Sequence, residues 1–270
     1  MTITTNEINE AITALGLADQ PLCIHSSFRS FGDTVEGGPE TVANAFLDKG
    51  CTVMVPAFLY ESIKPPHGRN PQHNGMEDDY EGNPQQDAIH YSPDLNVIDQ
   101  KEMGAFPAAL LHMSGRVRGS HPICSFAALG PMADELISTQ TPATMLAPLQ
   151  KLVEIDGYIL MMGIGLDRMT LIHLAETNAG RSLFYRWARD KDGAVIETRT
   201  SGCSLGFTNL VDVLLPLCEE TTVGHSLWRL FKASEVLQAA EQAIRANPMI
   251  THCGRKNCLR CDDAAAGGPD

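Results

Sequence analysis

The sequence predicts an α/β fold: a mixed, largely parallel sheet flanked by helices, with a long acidic loop insertion and a helical C-terminal part. Three observations carry that expectation. The continuous apolar runs PLCIHSS, CTVMVPAF and YILMMGIG read as strands buried on both faces. Stretches with helical spacing separate them, so strand–helix–strand units recur. The chain has 270 residues, 43% of them hydrophobic and 20% charged, which suffices for a sizeable core.

Taken in order, Asn6 to Leu17 carries apolar residues at Ile8, Ala11, Ile12 and Leu15, the spacing of a helix that Thr5 would cap. A strand follows through PLCIHSS, then a helix over Pro39 to Lys49 and a strand through CTVMVPAF. Ligands in such sheets sit beyond the carboxyl ends of the strands. Those ends hold His25-Ser26-Ser27 and Phe58 to Glu61. From Lys64 to Asn96 the periodicity dissolves into Pro, Gly, Asn and acid, as in a linker or a binding loop. Glu77, Asp78, Asp79 and Glu81, close after an apolar strand, favour a binding loop. Further helices are expected over Met103 to Met113, Pro131 to Ile137, Pro148 to Val153 and Thr170 to Asn178. A hairpin turns at Asp192-Gly193, and Asn209 to Asn247 reads as mostly helical. Residues 1–262 are expected to form one domain, with 64–96 as its substrate-side loop insertion. Residues 209–262 form its mostly helical C-terminal part, and 263–270 a frayed tail.

The formal charge is −13, from 20 Lys and Arg against 33 Asp and Glu. Nucleic acid is thereby disfavoured as a partner, since a phosphate backbone needs a basic face. A cationic ligand suits the surplus better. No apolar stretch is long enough for a membrane span, and the first residues lack the basic and apolar regions of a secretory signal. A cytoplasmic location is expected, with the eight cysteines mostly reduced.

Four blocks could carry chemistry. HSSFRSFG puts hydroxyls, amides and Arg29 at a strand end, as either an anion cradle or a capped turn. Arg116 and Arg118, with Gly119 and Ser120, could grip an anionic cofactor or pair with the chain's own carboxylates. Thr170, His173 and Glu176 share one helical stripe, where His173 is a candidate general base or a structural residue. Cys253, Cys258 and Cys261 crowd the C-terminus. A closed structural zinc site completed by Cys203 or a carboxylate such as Glu197 is favoured over a redox pair or free thiols.

Together these blocks resemble the aminoglycoside 3-N-acetyltransferase family of antibiotic N-acetyltransferases. The family's HSSxRSxG strand end and GTxxMPxF strand are matched by HSSFRSFG and CTVMVPAF, with Cys51 replacing the glycine and Val55 the methionine. Its later blocks are matched by RGSHPICSFAALG and by GIGLDRMTLIHLAE, from Gly163 to Glu176. The matches run in order over roughly residues 10 to 180. Gly224-His225 and the terminal CxxC resemble the apramycin-acetylating branch.

The resemblance implies acetyl transfer from acetyl-CoA, as cosubstrate, directly to an amino group of an aminoglycoside, conferring antibiotic resistance. It assigns the base to His173 and draws an acidic partner from the segment after the helix, which offers Glu197; the residues themselves add Glu176 on the same helical stripe and Thr170 or a backbone amide as donor to the oxyanion. Ser26, Ser27, Phe28, Arg29 and Ser30, with Arg118, Gly119 and Ser120, would hold the coenzyme. Gly119 stands where many members carry serine. Tyr60, Glu61, Asp78, Asp79 and Glu176 would hold the polycation. A same-fold acyltransferase acting on another small amine and a non-catalytic binder of cationic ligands are the competing readings.

Overall fold

The computed structural model describes residues 2–77 and 88–269. It opens with a short strand, β1 (Thr2–Ile3), and a helix, α1 (Thr5–Ala14). Thr4 caps that helix: its hydroxyl accepts from the Glu7 amide, and the Glu7 carboxylate accepts from the Thr4 amide at 2.8 Å. Thr5 is therefore the first helical residue and not the cap, because only Thr4 stands three residues before Glu7. Next come β2 (Pro21–Ser26), β3 (Thr34–Val35), α2 (Gly38–Leu47) and β4 (Thr52–Pro56).

Beyond the acidic loop lie β5 (His90–Tyr91), α3 (Gln100–Met103), α4 (Ala105–His112), β6 (Val117–Arg118) and β7 (Phe126–Leu129). Then follow α5 (Ala133–Ile137), α6 (Ala147–Glu154), β8 (Tyr158–Met162) and α7 (Leu171–Asn178). A hairpin of β9 (Phe184–Asp190) and β10 (Val195–Thr200) leads to α8 (Val211–Leu214). The chain ends with β11 (Cys218–Val223), β12 (Ser226–Lys232), α9 (Ala233–Ala246) and α10 (Leu259–Ala265).

Seven strands form the main sheet in the order β11-β12-β8-β2-β4-β7-β6. It is mixed: β8, β2 and β4 run parallel at its centre, and the outer strands pair antiparallel. Alternate residues serve opposite faces. Leu22, Ile24, Val53, Val55, Leu160 and Trp228 meet α1, α2 and α4 on one side. Cys23, Met54, Ile159, Met161 and Phe231 meet α5, α6, α7 and α9 on the other. This two-sided burial is why the central strands read as continuous apolar runs. No helix among the described residues is long and apolar enough to cross a membrane.

Two expectations change. The stretch read as mostly helical from Asn209 to Asn247 contains the β11–β12 hairpin, turning at Gly224-His225, and β12 pairs with β8 in the main sheet. Period-two burial governs β12: Ser226, Trp228 and Leu230 face inward while Leu227 and Arg229 are half-exposed. The tail is docked, not frayed. Gly268 and Pro269 are buried, and the Ser182 amide donates to the Gly267 carbonyl at 2.7 Å.

The described ends of the acidic loop pack on the second hairpin. β5 pairs with β9, Ile63 bridges to Trp187, and the Asn74 amide group exchanges hydrogen bonds with the Tyr185 backbone at 2.7 and 3.1 Å. His121 holds the other side of that hairpin. Its Nε2 donates to the Arg199 carbonyl at 2.7 Å, while Nδ1 accepts from the Cys124 amide at 2.9 Å. That double role requires a neutral ring. Burial holds His121 down to about 4 and His25, at the end of β2, down to about 3.

These two histidines bind protons in the unfolded chain below about pH 6.5 but not in the folded one, so stability falls with pH. Each contributes a loss of about 1.4 kcal/mol per pH unit below that point until its folded ring protonates. Urea unfolding at about pH 5 should therefore show a lower midpoint than at about pH 7; equal midpoints contradict the neutral buried rings. A second test concerns Gly119. A β-carbon there would lie 1.9 Å from Gln140 Oε1. Gln140 is buried and bonds the Phe126 amide and the Cys124 and Met145 carbonyls. Gly119→Ala should destabilise by about 1–3 kcal/mol, measured by urea unfolding, and an unchanged midpoint would refute that packing constraint.

Candidate active site

Beyond the carboxyl ends of the central parallel strands lies a cleft of about 790 Å³. His25 and Ser26 end β2 in it, Pro56 ends β4, and Ile164, Asp167, Arg168 and Thr170 follow β8. His173, in the first turn of α7, completes this wall. The crevice position is the one that parallel α/β sheets reserve for ligands.

His173 and Glu176 lie one turn apart on α7 and are 5% and 7% exposed. His173 Nδ1 and Glu176 Oε2 are 2.7 Å apart. A carboxylate can only accept, so Nδ1 carries the proton and the Nε2 lone pair is left for another partner. Phe207 meets the imidazole edge-on at 4.7 Å. The other carboxylate oxygen, Oε1, accepts from the Thr251 hydroxyl at 2.8 Å and from Arg181 Nη1. Glu176 is thus the acidic partner. Glu197 instead faces Arg199 at 3.3 Å.

Both Glu176 oxygens are engaged within the protein and the residue does not line the cleft, which corrects its expected substrate-binding role. Glu61 is not among the residues lining the cleft, and its Oε1 accepts from the Ile89 amide at 2.9 Å. Tyr60 does line the cleft, 53% exposed. Asp78 and Asp79 lie outside the described residues. Among the described residues three other carboxylates face the cleft: Glu77, already singled out as a loop acid, with Glu102 and Asp167. Arg168 bridges the latter two, at 3.0 and 3.6 Å.

The expected coenzyme residues divide. Ser26 faces the cleft, and its buried hydroxyl has no hydrogen-bond partner among the described residues. The rest are not brought to the cleft. The Ser27 amide donates to Met162, Phe28 stacks edge-on with Phe31 at 5.2 Å, and Arg29 is exposed. Ser30 and Ser226 share a hydroxyl bond at 2.7 Å. Arg118 is a buried clamp: its guanidinium donates to Ser125 and to the carbonyls of Ala57, Leu95 and Val97. Gly119 packs on Gln140 and accepts from the Tyr91 hydroxyl at 2.6 Å, and Ser120 is exposed away from the cleft. Sequence reasoning missed Arg186, Arg255 and Arg260, which give one wall of the cleft a basic character. They come from the second hairpin and the C-terminal turn, where no local motif marks them.

That C-terminal turn carries the cysteine cluster. The sulfurs of Cys203, Cys253, Cys258 and Cys261 all lie within 4.8 Å of one another, so Cys203 is the fourth member. A hydrogen bond from Cys261 holds the Cys203 thiol down to about 5, and the same contact pushes Cys261 up. Four converging sulfurs, one already drawn toward thiolate, fit a tetrahedral zinc donor set. Cys203 and Cys258 also line the cleft, so the cluster is part of its wall.

The chain is similar to known proteins along most of its length. It is 35% identical over 191 residues to aminoglycoside N(3)-acetyltransferase IX of Micromonospora chalcea, covering 66% of this chain and 63% of that one. The chain therefore spans under two thirds of that relative's length. It is 28% identical over 244 residues to aminoglycoside N(3)-acetyltransferase IV of a Salmonella species, covering 85% and 82%. The crystal structure of the acetyltransferase AAC(3)-IVa without ligand shares the fold with a TM-score of 0.76, 24% identity, and coverage of 99% and 98%. The family model for aminoglycoside 3-N-acetyltransferase matches residues 23–245, from β2 through α9, and so takes in both the HSS strand end and the His173 helix. On that match the chain belongs to the aminoglycoside 3-N-acetyltransferase family.

Proposed function

We propose that this protein transfers the acetyl group of acetyl-CoA to an amino group of an aminoglycoside antibiotic, with His173 as general base, and so confers resistance. The observation that carries this reading is the His173–Glu176 pair, which leaves Nε2 of a cleft-lining imidazole as a proton acceptor. An acceptor amine is an ammonium at neutral pH and cannot attack a thioester until it loses a proton. Nε2 takes that proton, a service worth roughly 10²–10⁴-fold, and Glu176 stabilises the imidazolium that results. The amine then attacks the thioester carbonyl, the C–S bond breaks, and CoA leaves as the thiol with the proton that the His173 imidazolium returns, while the surplus proton of the new amide nitrogen passes to solvent.

Other residues of the cleft suit the two ligands. Glu77, Glu102, Asp167 and Tyr60 form a polar, acidic side for a polycation. Arg255 and Arg260 offer charge to an anionic coenzyme, while Arg186 is buried and donates to the carbonyls of Asn74, Gly75 and Tyr185. The hydroxyls of Ser26 and Thr170 line the same space as His173 and are the donors for the developing oxyanion. Cys23, the cysteine that meets a cleft-lining imidazole (His25, at 3.7 Å), is fully buried, and burial pushes its thiol up, which favours direct transfer over an acyl-enzyme. Relatives support the pairing of ligands: AAC(3)-IVa has been crystallised with a gentamicin and with apramycin, and AAC-IIIb with CoASH.

The cysteine cluster is read as a structural zinc site. Four protein sulfurs at about 2.3 Å from the ion leave no open position, so the metal would order the C-terminal turn and take no part in acyl transfer. Free thiols and an acetyl-CoA substrate fit work in the cytoplasm.

Thiol release from acetyl-CoA should depend on an added aminoglycoside, tested with gentamicin, tobramycin and apramycin; release with none of them removes the proposed activity. His173→Ala should lower turnover by about a hundredfold or more while CoA still binds by calorimetry. Near-parental turnover in that variant takes the base role from His173. Purified protein should carry about one zinc per chain by elemental analysis, lost in Cys258→Ser/Cys261→Ser with a lower melting temperature. A metal-free preparation of full stability would end the zinc assignment.

A further inference from the structure

The carboxylate that orients His173 is itself held from the far end of the chain. Glu176 Oε1 accepts from the Thr251 hydroxyl at 2.8 Å, and that hydroxyl accepts from Arg181 Nη1 at 2.7 Å. Arg181 also reaches Oε1 and, through Nη2, the Pro248 carbonyl. Arginine, hydroxyl and carboxylate thus close a ring of hydrogen bonds in which Thr251 both gives and receives. Thr251 is 3% exposed, and no described residue besides these two meets its hydroxyl.

A carboxylate turns easily about its terminal torsion. With Oε1 pinned from two directions, Oε2 is left facing Nδ1 of His173 at 2.7 Å. Thr251 owes its place to the cysteine-bearing turn. Asn209 Nδ2 donates to the carbonyls on both sides of it, Ile250 at 2.9 Å and His252 at 3.2 Å. His252 Nε2 meets Asp262 at 3.0 Å, and the Cys253 amide donates to Cys261 Sγ at 3.4 Å. A cavity of only about 10 Å³ separates Glu176 from Cys203 and Cys261.

We infer that Thr251 is a positioning residue for the Glu176 carboxylate, so that the C-terminal cysteine-bearing turn supports the base from behind. The inference rests on the reading of His173 as the base, and the test separates the two. Thr251→Val keeps the shape and removes the hydroxyl, while Thr251→Ser restores it. The valine variant should lose turnover on the order of tenfold with the KM for acetyl-CoA unchanged, and serine should recover most of the loss. In a His173→Ala background Thr251→Val should cost nothing more, because the group it acts through is gone. The Nδ1 proton resonance of His173 should shift in the valine variant and return in the serine one, a readout independent of turnover. If valine does not fold, Thr251→Ala against Thr251→Ser makes the same comparison.

Parental turnover and an unmoved resonance in Thr251→Val overturn the inference while leaving His173 as base. So does an equal loss in both backgrounds, or failure of serine to recover activity. Near-parental turnover in His173→Ala overturns the base itself and this inference with it.

Discussion

Because the Glu176 carboxyl group has two oxygens and three neighbours, the division of those oxygens decides what the rest of the site can do. Oε2 goes to His173 Nδ1, and Oε1 to Thr251 and Arg181. A buried carboxylate is costly unless its lone pairs are met, and here donors from α7, from the segment after it and from the C-terminal turn meet them. The arrangement fixes the tautomer of the imidazole. It also brings α7, the turn after it and the distant residues 248–252 into one small volume, so that all three must be in register for Nε2 to face the cleft.

The sheet explains where that volume lies. The parallel strands β8, β2 and β4 end together, and α7 starts shortly after β8, so His173 enters the cleft from the same end as His25 and Ser26. Their chemistry differs because their surroundings do. Burial holds His25 neutral, beside the Cys23 sulfur at 3.7 Å, with no carboxylate hydrogen-bonded to its ring among the described residues. His173 has one. Of the two histidines on this wall, His173 is the one hydrogen-bonded to a carboxylate among the described residues, which is what the base role proposed for it requires.

The parts of this site that were legible in the sequence are those that local periodicity encodes. Thr170, His173 and Glu176 fall on one helical stripe, and the apolar runs of β2, β4 and β8 place the strand ends. The parts that were not legible depend on partners far along the chain. Thr251 lies 75 positions from Glu176. Arg118 reads as an anion grip until its donors are found on four groups of loop and strand. Its burial turns a binding motif into a clamp that orders residues 95–97. The β11–β12 hairpin was hidden for another reason: β11 is a half-exposed edge strand of mixed polarity, and only the tight turn at Gly224-His225 marks it.

The same logic bears on why a cysteine cluster stands where it does. Residues 254–257 are exposed, and Cys261 is the one cysteine of the cluster that is buried. Apolar burial alone gives such a turn little stability, since the hydrophobic term scales with area removed from water. Yet this turn borders the cleft through Arg255, Asn257 and Cys258 and carries Thr251 at its root. Cys203, arriving from the end of the second hairpin, ties the turn to the strand that His121 also holds. Four sulfurs within 4.8 Å of one another would, on taking up the zinc proposed above, tie down a segment too polar to order itself, beside the carboxylate that faces His173.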